Sequence, residues 1–556
     1  MLCFAATLVW LAYTTGITVD EPPHLLSAHL YWSGEDTLYP GDMPPAIKIA
    51  GGWVSHFFPL PVPRDDAKLW ASRIEWDIAR VMMDRFKSSS LPLCFFYSRL
   101  PLLLFPLLTC FLLWWWARQL FSPAAALLTA ALFCCSPTVL GHGALFKNDL
   151  AASFGFLLFW YRAWVYWRSP STRHALWLGA GCLAAILAKM SMLILLPLAI
   201  ALLLLRQVTV SLRHPRTLLV HLACALSVLY LGAAAAWQFD LNRTRAAEIQ
   251  AWKARPNVPD WIALAAQPLR LIPTPPRLRE GAISLVESNA DGVGVYLLGD
   301  IHPQGHPAYF LVAALTKLQE SVLLLSALAA VLLALRLARR QMPGSDLLWI
   351  LPPLLYFTLA SLSSLQLGIR LLLPALTCFL LWCGFALDWM LRRKATTALA
   401  AALLLWSLAT AAYQHPHHIA YFNAASGGSG SGIRYLSDSN LDWGQDLPAL
   451  AAYLQRHPHI NTRLAYFGND NPYARIPENR IESIAPPWSQ ELAKGDRLIP
   501  EPGYYAISAT LLTGQLFEPR FRDYYRYFRE SEPAAKLGYS IFLYHVPLPA
   551  PHTTRP

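Results

Sequence analysis

ALWLGAGCLAAILAKMSMLILLPLAIALLLL, residues 175–205, holds a single charged side chain, Lys189, near its middle. A helix needs about 20 apolar residues to cross the hydrocarbon, so this stretch is too long for one comfortable span and short for two. Its reading sets the sidedness of everything that follows. Split at Lys189, it sends Arg118, then Arg162, Arg168 and Arg173, then Arg206, Arg213 and Arg216 to one face of the membrane. Arg336, Arg339 and Arg340, and then Arg392, Arg393 and Lys394, join them. Read as one span, it throws the last three clusters to the opposite face. Short cytoplasmic loops collect Lys and Arg, so the split is the reading taken, with the amino terminus inside and the carboxyl terminus outside.

The other near-spanning runs fall at 1–19, 93–117, 123–140, 149–167, 217–236, 308–335, 346–364, 371–391 and 396–413. With the split, the expectation is a polytopic α-helical membrane protein of about eleven transmembrane helices. Composition agrees, with 55% hydrophobic and 14% charged residues. The opening run lacks a basic n-region and a small-residue cleavage site, so it reads as a span rather than a removable signal. The net charge of +11 is accounted for by loops facing anionic lipid, and nucleic-acid binding does not follow from it. No CxxC pair, zinc spacing, Walker loop or GxGxxG occurs, which argues against nucleotide hydrolysis as an energy source. None of the nine Cys lies beyond Cys383, and they read as packing residues.

Three segments then lie on the extracytoplasmic face: 20–92, 237–307 and 414–556. The first carries DDAKLWASRIEWDIARVMMDRF, where Trp70, Ile74, Ile78, Val81 or Met82, and Phe86 recur at helical spacing, as in a helix lying along the headgroups. The second, with RLIPTPPRLRE, reads as a long loop over a cavity. In the third, RLAYFG, YYAIS and YSIFLYHV are strand-like and QDLPALAAYLQRH has helical spacing, so a small α/β domain is expected from 414 onward. Residues 1–413 form the membrane module.

Asp20 and Glu21 stand where the first run ends. Paired carboxylates at a bilayer edge are costly and tend to be functional. His142, Lys147 and Asp149 in GHGALFKND, together with Lys189, Lys317 and Arg370, fall near the same edge. Carboxylates there can accept a proton and cations can hold a phosphate. Each cation alone also has the look of a snorkelling end-cap, although Lys189 and Lys317 interrupt apolar runs.

The motif DEPPH at 20–24 followed by MPPAIK at 43–48 resembles the first outer loop of the dolichol- or undecaprenyl-phosphate-dependent glycosyltransferases. These form the GT-C fold class, which includes protein O-mannosyltransferases and the lipid A aminoarabinose transferase. HPHHIAYFNAASGGSGSGIRYLSDSNLDWGQDL, residues 415–447, is similar to the bacterial phospholipid-carrier-dependent branch of that class. The resemblance implies a GT-C fold and transfer of a sugar from a polyprenyl-phosphate donor to an acceptor glycan, lipid or protein, with inversion, on the periplasmic side of the cytoplasmic membrane. By the same likeness Asp20 is the catalytic base and Glu21 its neighbour, orienting the acceptor or tuning Asp20. Lys48, Lys317 and Arg370 would meet the donor phosphate, with Lys189 and His142 behind them, and Asp149 matches an acidic position of the second outer loop. Asp149 also suits the N-cap of the helix that follows. No metal ligand set is assigned; Asp20, Glu21 and Asp149 would suit a divalent metal, but nothing in the spacing demands one. Asp438, Asp442 and Asp446 read as Asx turns and caps of a family-marking block. A secondary transporter or lipid flippase is the alternative, although no internal repeat is visible. A membrane scaffold with a binding tail is a third reading.

Overall fold

A computed structural model describes residues 1–35, 43–86, 90–210, 215–487 and 497–548. Arg213 of the basic clusters lies outside the described residues. The stretch that opens the sequence reading breaks at Lys189. The helix Thr172–Ala188 stops there, Lys189 is extended (φ −155°, ψ 132°), and a 3-10 turn at Met190–Ile194 leads into the helix Leu195–Val210. The preceding helix, Asp149–Arg168, packs antiparallel on Thr172–Ala188 at close range. A Cβ on Gly155 would sit 2.4 Å from the Ala185 Cα, so the two backbones touch, as small residues allow between membrane helices. This pairing sets the start of one helix beside the end of the other, and so Asp149 beside Lys189.

Among the described residues six helices are long and apolar enough to cross a membrane: Leu91–Leu120, Arg216–Ala236, Glu320–Ala338, Gly344–Leu362, Ile369–Leu391 and Lys394–Gln414. A seventh candidate is the pair Pro123–Cys134 and Pro137–Gly143, bent by 57°. The bend falls at Ser136-Pro137, where proline cannot donate to the helix and Ser136 caps the new start by accepting from the Val139 N–H. Leu2–Thr14, Thr172–Ala188 and Met190–Arg206 are apolar but shorter. This is an integral membrane protein, and the expected count of about eleven exceeds the helices that satisfy length and apolarity together. Proline, lysine and charged helix starts cut several runs into shorter pieces. Of these six candidate spans Ile369–Leu391 is the most enclosed, packed on Glu320–Ala338, Pro123–Cys134 and Asp149–Arg168.

Pro22 and Pro23 sit in the first turn of the helix Glu21–Trp32, where their missing N–H groups cost nothing. The stretch 65–86 is not one helix. It divides into Ala67–Ser72 and Glu75–Arg85 at Arg73, which is left-handed (φ 54°). Ile78, Met82 and Phe86 do share a face, but they bury it against Leu25, Leu26 and Leu30 of Glu21–Trp32. Residues 237–307 likewise are more than a loop. The helices Ala246–Lys253, Asp260–Ala265 and Pro276–Asp291 enclose a core of Ile249, Trp252, Val258, Ile262 and Ile283. The hairpin β1 (Val295–Leu297) and β2 (Asp300–His302) follows, and Leu297 bridges to Leu436 of the tail.

In the tail, RLAYFG, YYAIS and YSIFLYHV supply strands of a five-stranded sheet. Its members are β3 (Thr462–Ala465), β4 (Ile481–Ser483), β5 (Gly503–Ser508), β6 (Ala535–Leu537) and β7 (Ile541–Val546), in the order β4-β3-β5-β7-β6. β3 runs parallel to β4 and β5, while β7 is antiparallel to β5 and β6. Ligand sites of parallel sheets lie beyond the carboxyl ends of their strands. Here that edge holds Asn469, which donates to the Val19 carbonyl at 2.7 Å, and Asp470, which accepts the Ile17 N–H at 3.4 Å. The sheet thus grips the corner that carries Asp20.

Candidate active site

The corner begins where the first helix, Leu2–Thr14, ends. Arg99 closes it from the inside, donating to the carbonyls of Ala12, Thr15 and Gly16 at 2.8–2.9 Å. The same guanidinium grips both oxygens of Glu21, at 2.7 and 2.6 Å. Glu21 accepts in addition from the Thr18 N–H and hydroxyl, at 2.8 and 3.0 Å, and from the Phe146 N–H at 2.7 Å. Burial raises this carboxyl, but Arg99 and these donors outweigh it and hold it below its ordinary value. With every lone pair engaged and no exposed surface, Glu21 has nothing left to offer an acceptor. Its bond to Phe146 instead fixes the loop that presents Lys147.

Asp20 points the other way and keeps 13% of its side chain exposed. Lys147 Nζ lies 2.6 Å from its Oδ2 and Arg370 Nη2 lies 3.3 Å from the same oxygen. Arg370 Nη1 is also 3.7 Å from Asp149 Oδ2, and Lys189 Nζ is 2.7 Å from Asp149 Oδ1. The result is an alternating chain, Lys189–Asp149–Arg370–Asp20–Lys147, drawn from four separate parts of the sequence. Asp149 does not cap its helix; Asn148 holds that position, with no side-chain cap bond. Burial raises the Asp20 carboxyl, but Lys147, Arg370 and His24 outweigh it and bring it down from 3.8 to about 2. Within these ion pairs three cations meet two carboxylates, so an anion arriving here would find cations not fully matched by their direct partners.

Arg370 reaches this place through Gly368, whose φ of +102° favours glycine and whose missing Cβ leaves room for the Ser439 hydroxyl. That hydroxyl accepts from Arg370 Nε at 3.2 Å. Trp443 lies against the guanidinium, its ring centre 4.4 Å from Cζ, with the Lys147 ammonium 5.8 Å away. His142 meets the same ring edge-on at 5.8 Å. The block 437–446 therefore forms a wall of the charge cluster.

The expected phosphate ligands divide. Arg370, Lys189 and Asp149 come together with Asp20, and His142 stands beside them. Lys317 is turned away; its ammonium donates to the carbonyls of Ile419, at 2.9 Å, and Asn440. It braces the turn before Arg370, because Asn440 in turn accepts the Ile369 N–H at 2.9 Å. Lys48 is buried on the helix Pro45–Gly51, and its backbone carbonyl accepts from the Trp32 indole N–H at 2.8 Å. Lys147, grouped with His142 and Asp149 in the sequence but given no separate role there, pairs with Asp20, and Arg99 and Trp443 join the cluster without having been singled out. Arg99 carried a signal: it interrupts the run 93–117 as Lys189 interrupts 175–205.

The three acids of the block separate too. Asp442 accepts the N–H groups of Gly444 and Thr510, at 3.2 and 2.9 Å, and Asp446 pairs with His417 Nδ1 at 2.8 Å. Asp438 is half-buried on a left-handed residue (φ 54°) beside Ser439. Burial pushes its carboxyl up to about 6; Arg370 opposes that and Asp20 adds to it. Among the described residues no three of His, Cys, Asp and Glu are grouped to hold a metal ion. Glu21 is engaged by Arg99, and Arg370 lies between Asp20 and Asp149.

Residues 95–231 match the family described as dolichyl-phosphate-mannose-protein mannosyltransferase. That span contains His142, Lys147, Asp149 and Lys189. The chain is similar to the GT-C glycosyltransferases. Among solved structures it is similar to ArnT from Cupriavidus metallidurans in the apo state, with 14% identity and a TM-score of 0.44 over 98% of this chain and 97% of that one. ArnT bound to undecaprenyl phosphate gives 12% and 0.41 over the same shares. The Archaeoglobus fulgidus oligosaccharyltransferase gives 12% and 0.39, covering 91% of this chain and 69% of that one. No curated protein matches the chain. The matched segment holds three of the five members of the charge cluster, Lys147, Asp149 and Lys189, with Asp20 and Arg370 lying outside it.

Proposed function

We propose that this protein is a membrane glycosyltransferase that moves a sugar from a polyprenyl-phosphate donor to an acceptor on the extracytoplasmic face, with inversion at the anomeric carbon. The observation that carries the reading is the alternating chain of ion pairs from Lys189 to Lys147, with three cations and two carboxylates; the membrane part of the fold also holds an apolar cavity. That cavity, of about 280 Å³, is lined by Leu311, Leu315, Leu318, Phe357, Leu373 and Phe379 among others. Leu373 follows Arg370 by three residues, and in this reading the cavity takes the prenyl tail of a donor whose phosphate is held by the cations.

In this reading the donor phosphate takes Arg370, Lys147 and Lys189. Charge grows on the phosphate oxygen as the glycosidic bond breaks, and fixed cations stabilise that state more than the ground state. The acceptor's hydroxyl or amine forms the new bond to the anomeric carbon and gives its proton to Asp20, while the polyprenyl phosphate leaves. Asp20 held at about 2 is a weak base. A phosphate that draws Lys147 and Arg370 toward itself frees the carboxylate to accept a proton. The site becomes basic when it is loaded.

The same reading takes the chain as eleven spans, with the short and bent helices completing the membrane module of residues 1–413 and the segment 414–556 outside. What supports it is a helix in each apolar run of the described residues, together with the sequence rule that short cytoplasmic loops collect Lys and Arg. A transporter would place its ionisable groups near the midplane of broken helices. Here they gather at helix ends against an extramembrane sheet.

The test is reconstitution in liposomes with radiolabelled polyprenyl-phosphate sugars. Loss of label from the lipid to an acceptor is the expected result, and movement of intact lipid without bond cleavage would favour the flippase. Arg370→Gln should weaken binding of polyprenyl phosphate by about 2 kcal/mol, roughly thirtyfold in Kd, read by titration in detergent.

A further inference from the structure

Trp443 has no part in the chemistry set out above, yet two halves of the site meet on it. Its side chain is 1% exposed. The ring carries Arg370 at 4.4 Å and Lys147 at 5.8 Å, and the backbone carbonyl accepts the N–H of Val19, the residue before Asp20, at 3.0 Å. The adjoining Gln445 carbonyl accepts the Gly16 N–H at 2.9 Å. One tail residue therefore touches the cations through its side chain and the base-bearing corner through its backbone.

The choice of an aromatic ring has a physical reason. Two cations held close repel each other, and something must hold them until an anion arrives. A further carboxylate in contact with both would do so, but it would occupy the N–H groups that the phosphate needs. An aromatic face attracts cations through its quadrupole and adds no charge. It also lacks lone pairs that compete with phosphate oxygens for the N–H groups. We propose that Trp443 is a positioning residue for the phosphate site: it holds Arg370 and Lys147 at fixed spacing before the donor binds. This rests on the polyprenyl-phosphate reading above.

The test titrates polyprenyl phosphate, without sugar, into the purified full-length protein in detergent. Trp443→Leu should weaken binding on the order of tenfold, and Trp443→Phe by roughly threefold, the order of their faces toward a cation. The decisive measurement is a double-mutant cycle, because groups in contact couple and a remote structural effect adds. In an Arg370→Gln background, Trp443→Leu should cost much less than it does alone. An equal loss in both backgrounds, or no loss in either, overturns the proposal. Should the leucine variant fail to fold, Trp443→Phe carries the same cycle with the same two outcomes. Arg370→Gln binding the lipid as tightly as the unaltered protein would overturn the phosphate reading itself, and the role of Trp443 with it.

Discussion

Asp20→Asn is expected to lower the rate of sugar transfer by about 10²- to 10⁴-fold, the span associated with losing a positioned proton acceptor. The substitution keeps the shape and removes one negative charge. Among the direct ion pairs Asp149 alone then faces the three cations, so the site gains one positive charge relative to the native protein. Binding of polyprenyl phosphate should therefore hold or tighten while turnover collapses. A merely structural role for Asp20 predicts that affinity and turnover fall together. Titration of the lipid beside single-turnover transfer from the radiolabelled donor separates the two outcomes.

The pH profile extends this prediction. In the free protein the Asp20 carboxyl is held to about 2 against its ordinary 3.8. A carboxylate with a depressed pKa stays ionised as the pH falls toward that value, so kcat/KM, which reports the free enzyme, should lose no activity through Asp20 above pH ~4. Once phosphate draws the two cations away, the depression is relieved and the pKa rises. The acid limb of kcat, which reports the loaded enzyme, should then lie at higher pH than that of kcat/KM. Coincident acid limbs would mean that the cations do not shift from carboxylate to donor.

Much of this arrangement was legible because charge inside an apolar run is conspicuous. Lys189 breaks its helix where the sequence suggested, and Arg370 and Asp149 stand out against the residues around them. Such signals mark which residues are unusual, but they do not say which residues meet. Glu21 and Arg99 are 78 positions apart, so no local periodicity links them, and Glu21 read from sequence looks like a second functional acid. Lys317 interrupts an apolar run as Lys189 does, yet the direction of a lysine's ammonium depends on which carbonyls reach it. Trp443 lay hidden among 21 tryptophans, and only the fold brings it under Arg370. The helix 65–86 failed differently. Its spacing was right, but the left-handed turn at Arg73 cut it, and its apolar face met Glu21–Trp32.

Glu21 and Arg99 give the largest expected effect on stability. Arg99→Met would strip a carboxylate with no exposed surface of its bidentate partner and leave the carbonyls of Ala12, Thr15 and Gly16 without their donor. Breaking a buried pair from one side costs about 3–5 kcal/mol, a large share of the stability of most proteins. Replacing both partners by apolar residues often recovers such a loss, but here it should not. Glu21 also satisfies the Thr18 and Phe146 N–H groups, and the double variant Glu21→Met/Arg99→Met would leave those donors and the three carbonyls unpaired. Arg99→Lys keeps the charge but loses the planar fork, so it should fall between the native protein and Arg99→Met. Glu21→Gln should be nearly as harmful as losing Arg99, because its NH2 would face donors from Arg99, Thr18 or Phe146 whichever way the amide turned. The pH dependence has a definite sign. The folded-state pKa of Glu21 lies below its ordinary 4.5, so the contribution is present above that value and is lost as the pH falls through the folded-state value. Thermal melting in detergent should therefore order these variants as native, Arg99→Lys, then Glu21→Gln and Arg99→Met. Asp20→Asn should melt close to the native protein, although it is the variant that stops turnover. Adjacent carboxylates would then be separated by experiment into one that does chemistry and one that holds the corner where the chemistry happens; equal melting of Glu21→Gln and Asp20→Asn would remove that distinction.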